Sequence, residues 1–188
     1  MRFICTAAAL AMLAALAPAS AKTESAYTKI FTKAAKCKTV ESNEEEGWAV
    51  AKCPGYKGME VWVGDGDNRV TVGYGKNGRD ELAFSSTFPN FNTTGDTIEW
   101  RLKDGKPVAT ILRWKIDGGE GLPKGEMLVV TQLNAGNQCW IAVVAAHKNK
   151  NANELARQAA DSLAGTVDCE ATMPRVVGTP DTAIYPQE

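Results

Sequence analysis

The sequence predicts an α+β fold: an antiparallel, meander-type β-sheet of about six to eight strands, with one C-terminal helix packed on it. Three observations carry this expectation. Short apolar segments recur at period two, separated by Gly, Asn and Asp turn signals. Two late segments, 126–133 and 138–146, are apolar at nearly every position, so both of their faces need cover. One stretch, from Asn151 to Gly165, carries apolar residues at helical spacing.

The chain opens with Arg2, an apolar run over residues 3–17, Pro18, and the small-residue triplet Ala19-Ser20-Ala21. This is the pattern of a signal peptide covering residues 1–21. The run is shorter than the roughly 20 apolar residues of a transmembrane helix; an uncleaved anchor is the alternative. Cleavage removes Cys5 and leaves a domain over residues 22–169, followed by a flexible tail over 170–188 that is rich in proline. No stable membrane insertion is expected after cleavage.

Residues 26–40 are open between a short helix and an extended arm. Residues 47–53 and 59–64 are strand-prone and flank the turn signals Pro54-Gly55 and Lys57-Gly58. Residues 69–74 alternate, with Val70, Val72 and Tyr74 on one face. The link Gly64-Asp65-Gly66-Asp67-Asn68 has turn composition, and it lacks the further ligands of a calcium loop. Residues 76–96 are ambiguous. Arg79–Phe84 suits a turn or two of helix and Phe88-Pro89-Asn90-Phe91 suits a loop. Phe84, Phe88 and Phe91 make either a plug beneath that loop or an exposed contact patch.

The hairpin over 97–116 is the most legible element. Ile98, Trp100 and Leu102 alternate with Glu99 and Arg101; Val108, Thr110, Leu112, Trp114 and Ile116 continue the apolar set. A three-residue loop with Gly105 left-handed would pair Trp100 with Val108 and set Glu99 opposite Ala109. Trp100 and Trp114 are then core residues. The opposite, mixed face holds Glu99, Arg101, Ala109, Ile111 and Arg113. It is either an ordinary solvated face with cross-strand ion pairs or a recognition patch for an anionic ligand or protein. Residues 126–133 and 138–146 form the next hairpin around Asn134–Asn137. The helix begins at Asn151, with Glu154 placed for a capping box, and its Leu155, Ala156, Ala159, Ala160 and Leu163 supply the missing cover.

The cysteines that survive cleavage are Cys37, Cys53, Cys139 and Cys169. Pairing nearest neighbours gives Cys37–Cys53 and Cys139–Cys169, loops worth roughly 3 and 3.6 kcal/mol in chain entropy. No Cys-x-x-Cys pair is present, so disulfides are favoured over zinc.

Composition narrows the function. The chain has 188 residues, 44% hydrophobic and 23% charged, with a net charge of -1. These values exclude a polytopic membrane protein, a coiled coil and a disordered chain, and they argue against nucleic-acid binding, which needs a basic surface. The single histidine, His147, follows the last strand, where an exposed position is expected. Zinc hydrolase motifs need two histidines, and no serine lies in a Gly-x-Ser-x-Gly elbow. Paired carboxylates would need only Glu99 with Asp117 or Glu120. No catalytic residue, metal or cofactor is predicted.

The segments Ile98-Glu99-Trp100-Arg101 and Ala109-Thr110-Ile111-Leu112-Arg113-Trp114 resemble a group of small, exported, uncharacterised bacterial proteins. So do Cys53-Pro54-Gly55-Tyr56-Lys57-Gly58 and Asn153–Asp161. The resemblance covers most of residues 26–169 and implies export and the domain limits; it carries no catalytic residues. The expected function is a periplasmic or secreted, non-enzymatic binding module, monomeric, for an unknown protein or small ligand, with an inhibitor-like protein as one form. The alternative is a small envelope hydrolase using paired carboxylates.

Overall fold

The computed structural model describes residues 22–30, 36–118, 121 and 123–185. The signal-peptide expectation for 1–21, residue Glu120 and the last three tail positions lie outside the described residues.

The strands are β1 (Thr23–Lys29), β2 (Lys38–Asn43), β3 (Trp48–Pro54), β4 (Glu60–Gly66), β5 (Arg69–Tyr74), β6 (Asn92–Lys103), β7 (Lys106–Asp117), β8 (Lys124–Gln132), β9 (Trp140–Ala145) and β10 (Arg175–Val176). A short helix α1 (Leu82–Ser85) precedes β6, and α2 (Ala152–Leu163) follows β9. The α+β class stands, but the strands form two sheets. One has six strands in the order β1-β6-β7-β8-β9-β10 and the other has four in the order β2-β3-β4-β5. All pairs are antiparallel except β9–β10. The meander breaks after β5, whose outer edge is capped by side chains at Val70: Asn92 Oδ1 accepts from the Val70 amide and Thr87 Oγ1 donates to the Val70 carbonyl.

The main core joins both sheets. Val61, Val63, Val72 and Tyr74 belong to the same buried cluster as Ile98, Trp100, Leu112, Trp114, Met127 and Val129. Trp100 and Trp114 are core residues, as the alternation requires. The second face of the large sheet meets α2, where Ala156, Ala159, Ala160 and Leu163 pack with Ala109, Ile111, Val130, Ala142 and Val144. The strands apolar on both faces are thus covered on both. Gly165, at φ +81°, follows the helix end. The capping box does not form: Asn151 makes no side-chain cap, and Glu154 accepts instead from Gln158.

Two further expectations, on the β6–β7 turn and the tail, are corrected; one open alternative is decided, and one residue expected at the surface gains a partner. The β6–β7 turn is the two residues Asp104 and Gly105, both with positive φ. Trp100 therefore faces Thr110, Glu99 faces Ile111, and a bulge absorbs Val108 between the Arg101–Ala109 and Leu102–Pro107 pairs. The bulge restores the parity that a two-residue turn would otherwise have lost, so each face keeps its expected residues. The start of the 26–40 stretch is extended, as β1 pairs with β6 from Thr23 to Lys29. The expected flexible tail carries β10 and docks: Ile184 is fully buried and Tyr185 packs against Phe88. Finally, His147 is exposed, as expected, but it also has a partner. Its Nε2 lies 2.8 Å from Asp181 of that same segment, and its side chain is 29% exposed.

Cys37 bonds Cys53 and Cys139 bonds Cys169, the pairing expected. Persistent disulfides fit an oxidising compartment. No helix among the described residues is long and apolar enough to cross a membrane.

Candidate functional site

The mixed face of the β6–β7 hairpin lies partly beneath α2 and partly beyond it. Two ion pairs lock the covered part. Arg157 donates from Nε to Glu99 Oε1 at 2.6 Å and from Nη2 to Oε2 at 3.2 Å. Arg101 donates to both Asp161 oxygens, at 2.9 and 2.6 Å. Ser25 on β1 bridges the pairs, accepting from Arg101 and donating to Glu99, each at 2.5 Å. Glu99 and Arg101 are both only 7% exposed. The solvated-face expectation is therefore corrected for these two residues: they are buried structural partners of the helix.

The fit follows from repeat lengths. Two residues of strand advance about 6.8 Å and four residues of helix about 6 Å, so Glu-x-Arg on β6 can match Arg-x-x-x-Asp on α2 with opposite signs. That complementarity was available in the sequence and was missed. Ser25, Arg157 and Asp161 were not singled out for this reason.

Beyond the N-terminal half of α2 the same face opens into a cleft of roughly 720 Å³. Ile111 and Leu128 form an apolar part of its lining, and Tyr27, Asp96, Arg113, Lys115, Asn153 and Arg157 also line it. One rim is a β6 irregularity between the Thr94–Trp114 and Ile98–Leu112 pairs, in which Gly95, Asp96 and Thr97 are set against Arg113 alone. Such bulges redirect a strand locally. Arg113 reaches Glu126 at 2.7 Å and Asn153 at 3.4 Å. Lys29 holds Asp96 at 3.0 Å, and its hydrogen bond, with that of Thr97, keeps the Asp96 carboxyl below the usual carboxylate range. The Glu99 hydrogen bond raises the Arg157 pKa further above its ordinary value, so the guanidinium stays charged. Lys115 is exposed and forms no ion pair among the described residues.

Of the residues read as a recognition patch, Glu99, Arg101 and Arg113 share one sheet face and only Glu99 and Arg113 line the cleft. The three phenylalanines are elsewhere and apart. Phe88 is the plug, fully buried against Trp114, Trp140 and Tyr185 at centroid distances of 5.6, 5.0 and 6.0 Å. Phe84 is half-buried over Gly64 and Gly73. Phe91 is 42% exposed, with the Arg69 guanidinium 5.5 Å from its ring centroid.

Glu99 and Asp117 do not form a carboxylate pair. Glu99 faces Ile111 across the ladder, and Asp117 lies six positions further along β7, roughly 20 Å away. Glycosidic carboxylate pairs lie within about 9.5 Å. Asp117 instead meets Lys124 at 3.0 Å. Comparison of the chain with protein-family models, with curated proteins and with solved structures finds no match.

Proposed function

We propose that the chain is an exported, non-enzymatic binding module, working in the periplasm or outside the cell. It holds an acidic protein segment or small ligand in the cleft beside α2. Its donors support this reading. Lys115 is uncommitted among the described residues, Arg113 gives Nη1 to Glu126 and Nη2 only a long bond to Asn153, and both border an apolar floor that a ligand would dry. The observation that carries the reading is the division of the charged face. Glu99 and Arg101 are consumed in holding α2, while Arg113 and Lys115 stand at the open end. An inhibitor-like protein is one form such a module takes.

The test compares two baits in periplasmic extract, the wild-type chain and an Arg113→Glu/Lys115→Glu variant that is folded at the temperature of the assay. A reproducible partner that the wild type retains and the variant loses is the expected result. Equal retention by both, or no reproducible partner, overturns the proposal.

A further inference from the structure

The geometry points to the groove beside the Cys139–Cys169 disulfide as a docking surface for a basic, amphipathic protein segment, with one bulky apolar residue flanked by lysine or arginine. This goes beyond the acid-binding reading. The groove shares no lining residue with the cleft beside α2 and carries the opposite charge.

Two clefts, of about 620 and 580 Å³, share Leu82, Ser85, Cys169 and Glu170 as walls and so form one continuous groove. Its halves differ in chemistry. The smaller half is apolar, lined by Trp140, Met173, Pro174 and Tyr185. Leu82 is 49% exposed and Met173 76% exposed. Two large apolar side chains open to water at one groove are more than the single scattered ones of an ordinary surface. The unbranched thioether of Met173 can adapt to a bulky apolar residue placed there.

The larger half is acidic, lined by Asp80, Glu81 and Glu170. The one cation on the walls of either half, Arg79, is paired with Glu41 at 2.5 Å. Glu81 spends its oxygens on the Gly136 and Gln138 amides, at 2.7 and 3.0 Å. Asp80 and Glu170 are exposed, and their carboxylates have no partner among the described residues. Side-chain donors along the groove are turned inward. The Ser85 and Ser86 hydroxyls donate to the Leu82 carbonyl, the Thr87 hydroxyl to Val70, and the Asn137 and Gln138 amides to the Val167 and Tyr74 carbonyls. Gln138 is only 6% exposed, and its Oε1 is left without a donor. The open polar groups are thus acceptors and anions, so a complementary occupant brings donors and positive charge beside its apolar group. Among the described residues no three Asp, Glu, His or Cys side chains come together to hold a metal ion, which favours cationic side chains over a metal ion.

The test is a titration of the purified, isotope-labelled chain with a capped pentapeptide in which leucine stands between two lysines, with a glycine at each end. Saturable shifts are expected at the Leu82 and Met173 methyl groups and at the Glu170 amide. Glutamates in place of both lysines, or glycine in place of the leucine, should each weaken binding about tenfold. Asp80→Lys/Glu170→Lys changes two exposed, unpaired residues, so the fold stands, and it should weaken binding of the lysine peptide about tenfold. Equal binding of the lysine and glutamate peptides, or of the leucine and glycine peptides, overturns the inference. So do wild-type affinity in the Asp80→Lys/Glu170→Lys variant, shifts that grow with protein concentration alone, as a second copy would give, and no saturable shift at millimolar peptide. The Arg113→Glu/Lys115→Glu variant should bind the lysine peptide as the wild type does, so failure here leaves the acid-binding cleft standing and failure there leaves this groove.

Discussion

Glu99 of β6 and Arg157 of α2 form a side-on pair, with Nε donating to Oε1 at 2.6 Å and Nη2 to Oε2 at 3.2 Å. The Glu99 side chain is 10% exposed and that of Arg157 is 33% exposed. One partner is therefore desolvated and the other is partly screened by water. Removing the buried partner strands Arg157 and deprives Ser25 of its acceptor. Glu99→Ala should lower unfolding free energy by about 2 kcal/mol, below the range for fully buried pairs because Arg157 keeps some solvent. Urea titration of Glu99→Ala, Arg157→Ala and the double variant measures the coupling, which should exceed about 0.5 kcal/mol.

Arg113 is the contrast. It sits on the same sheet face, but its pair with Glu126 is open, at 32% and 45% side-chain exposure. Arg113→Glu should cost about 1 kcal/mol or less, since an exposed pair is worth little. A melting point shifted by no more than a few degrees is expected from thermal denaturation.

The C-terminal segment is held through Asp181. Burial pushes its carboxyl up, but hydrogen bonds from His147, Lys148 and the Ala183 amide outweigh that and hold it below the usual carboxylate range. A depressed folded-state pKa gives stability that is present above the unfolded value, about 3.9, and lost as pH falls through the folded value. The segment should thus stay docked from neutral pH to about 5 and loosen below about 4. Amide exchange at Ile184 and Tyr185 across that range reads this directly. Gly125→Ala should loosen the same segment at every pH, because an added Cβ would lie 2.5 Å from the His147 ring and 2.8 Å from Ile184.

Gly73 tests the β5 crossover. A Cβ there would lie 2.0 Å from the carbonyl oxygen of Gly78, a backbone atom with little room to move. Gly73→Ala should cost about 3 kcal/mol, measured by urea unfolding.

These contrasts also mark what the sequence could and could not reveal. The two disulfides, the Trp100 and Trp114 core positions and α2 as a cover were legible, because each depends on local spacing or on a pattern repeated several times. The docking of the tail was not. It rests on Ile184 and Asp181, two isolated residues whose partners, Gly125, His147 and Lys148, are far away in the chain. The β6–β7 turn was misread because a three-residue loop and a two-residue turn with a later bulge give the same inside–outside parity. Part of the candidate site was visible as a face: Glu99, Arg101 and Arg113 were placed together correctly. Which of them would be buried depended on where α2 lies across the sheet, and no single segment encodes that. Tyr27 and Lys115 carried no local signal of a cleft.

The central claim is that the open end of this charged face, and not its covered end, receives an acidic ligand. Amide and side-chain resonances of the isotope-labelled chain, followed during titration with a short glutamate-rich peptide, test it most directly. The account predicts saturable shifts confined to Tyr27, Gly95, Lys115 and the side chains of Arg113 and Arg157. Shifts spread over the surface lysines, or centred on the separate cleft around Arg79 and Gly136, would contradict it.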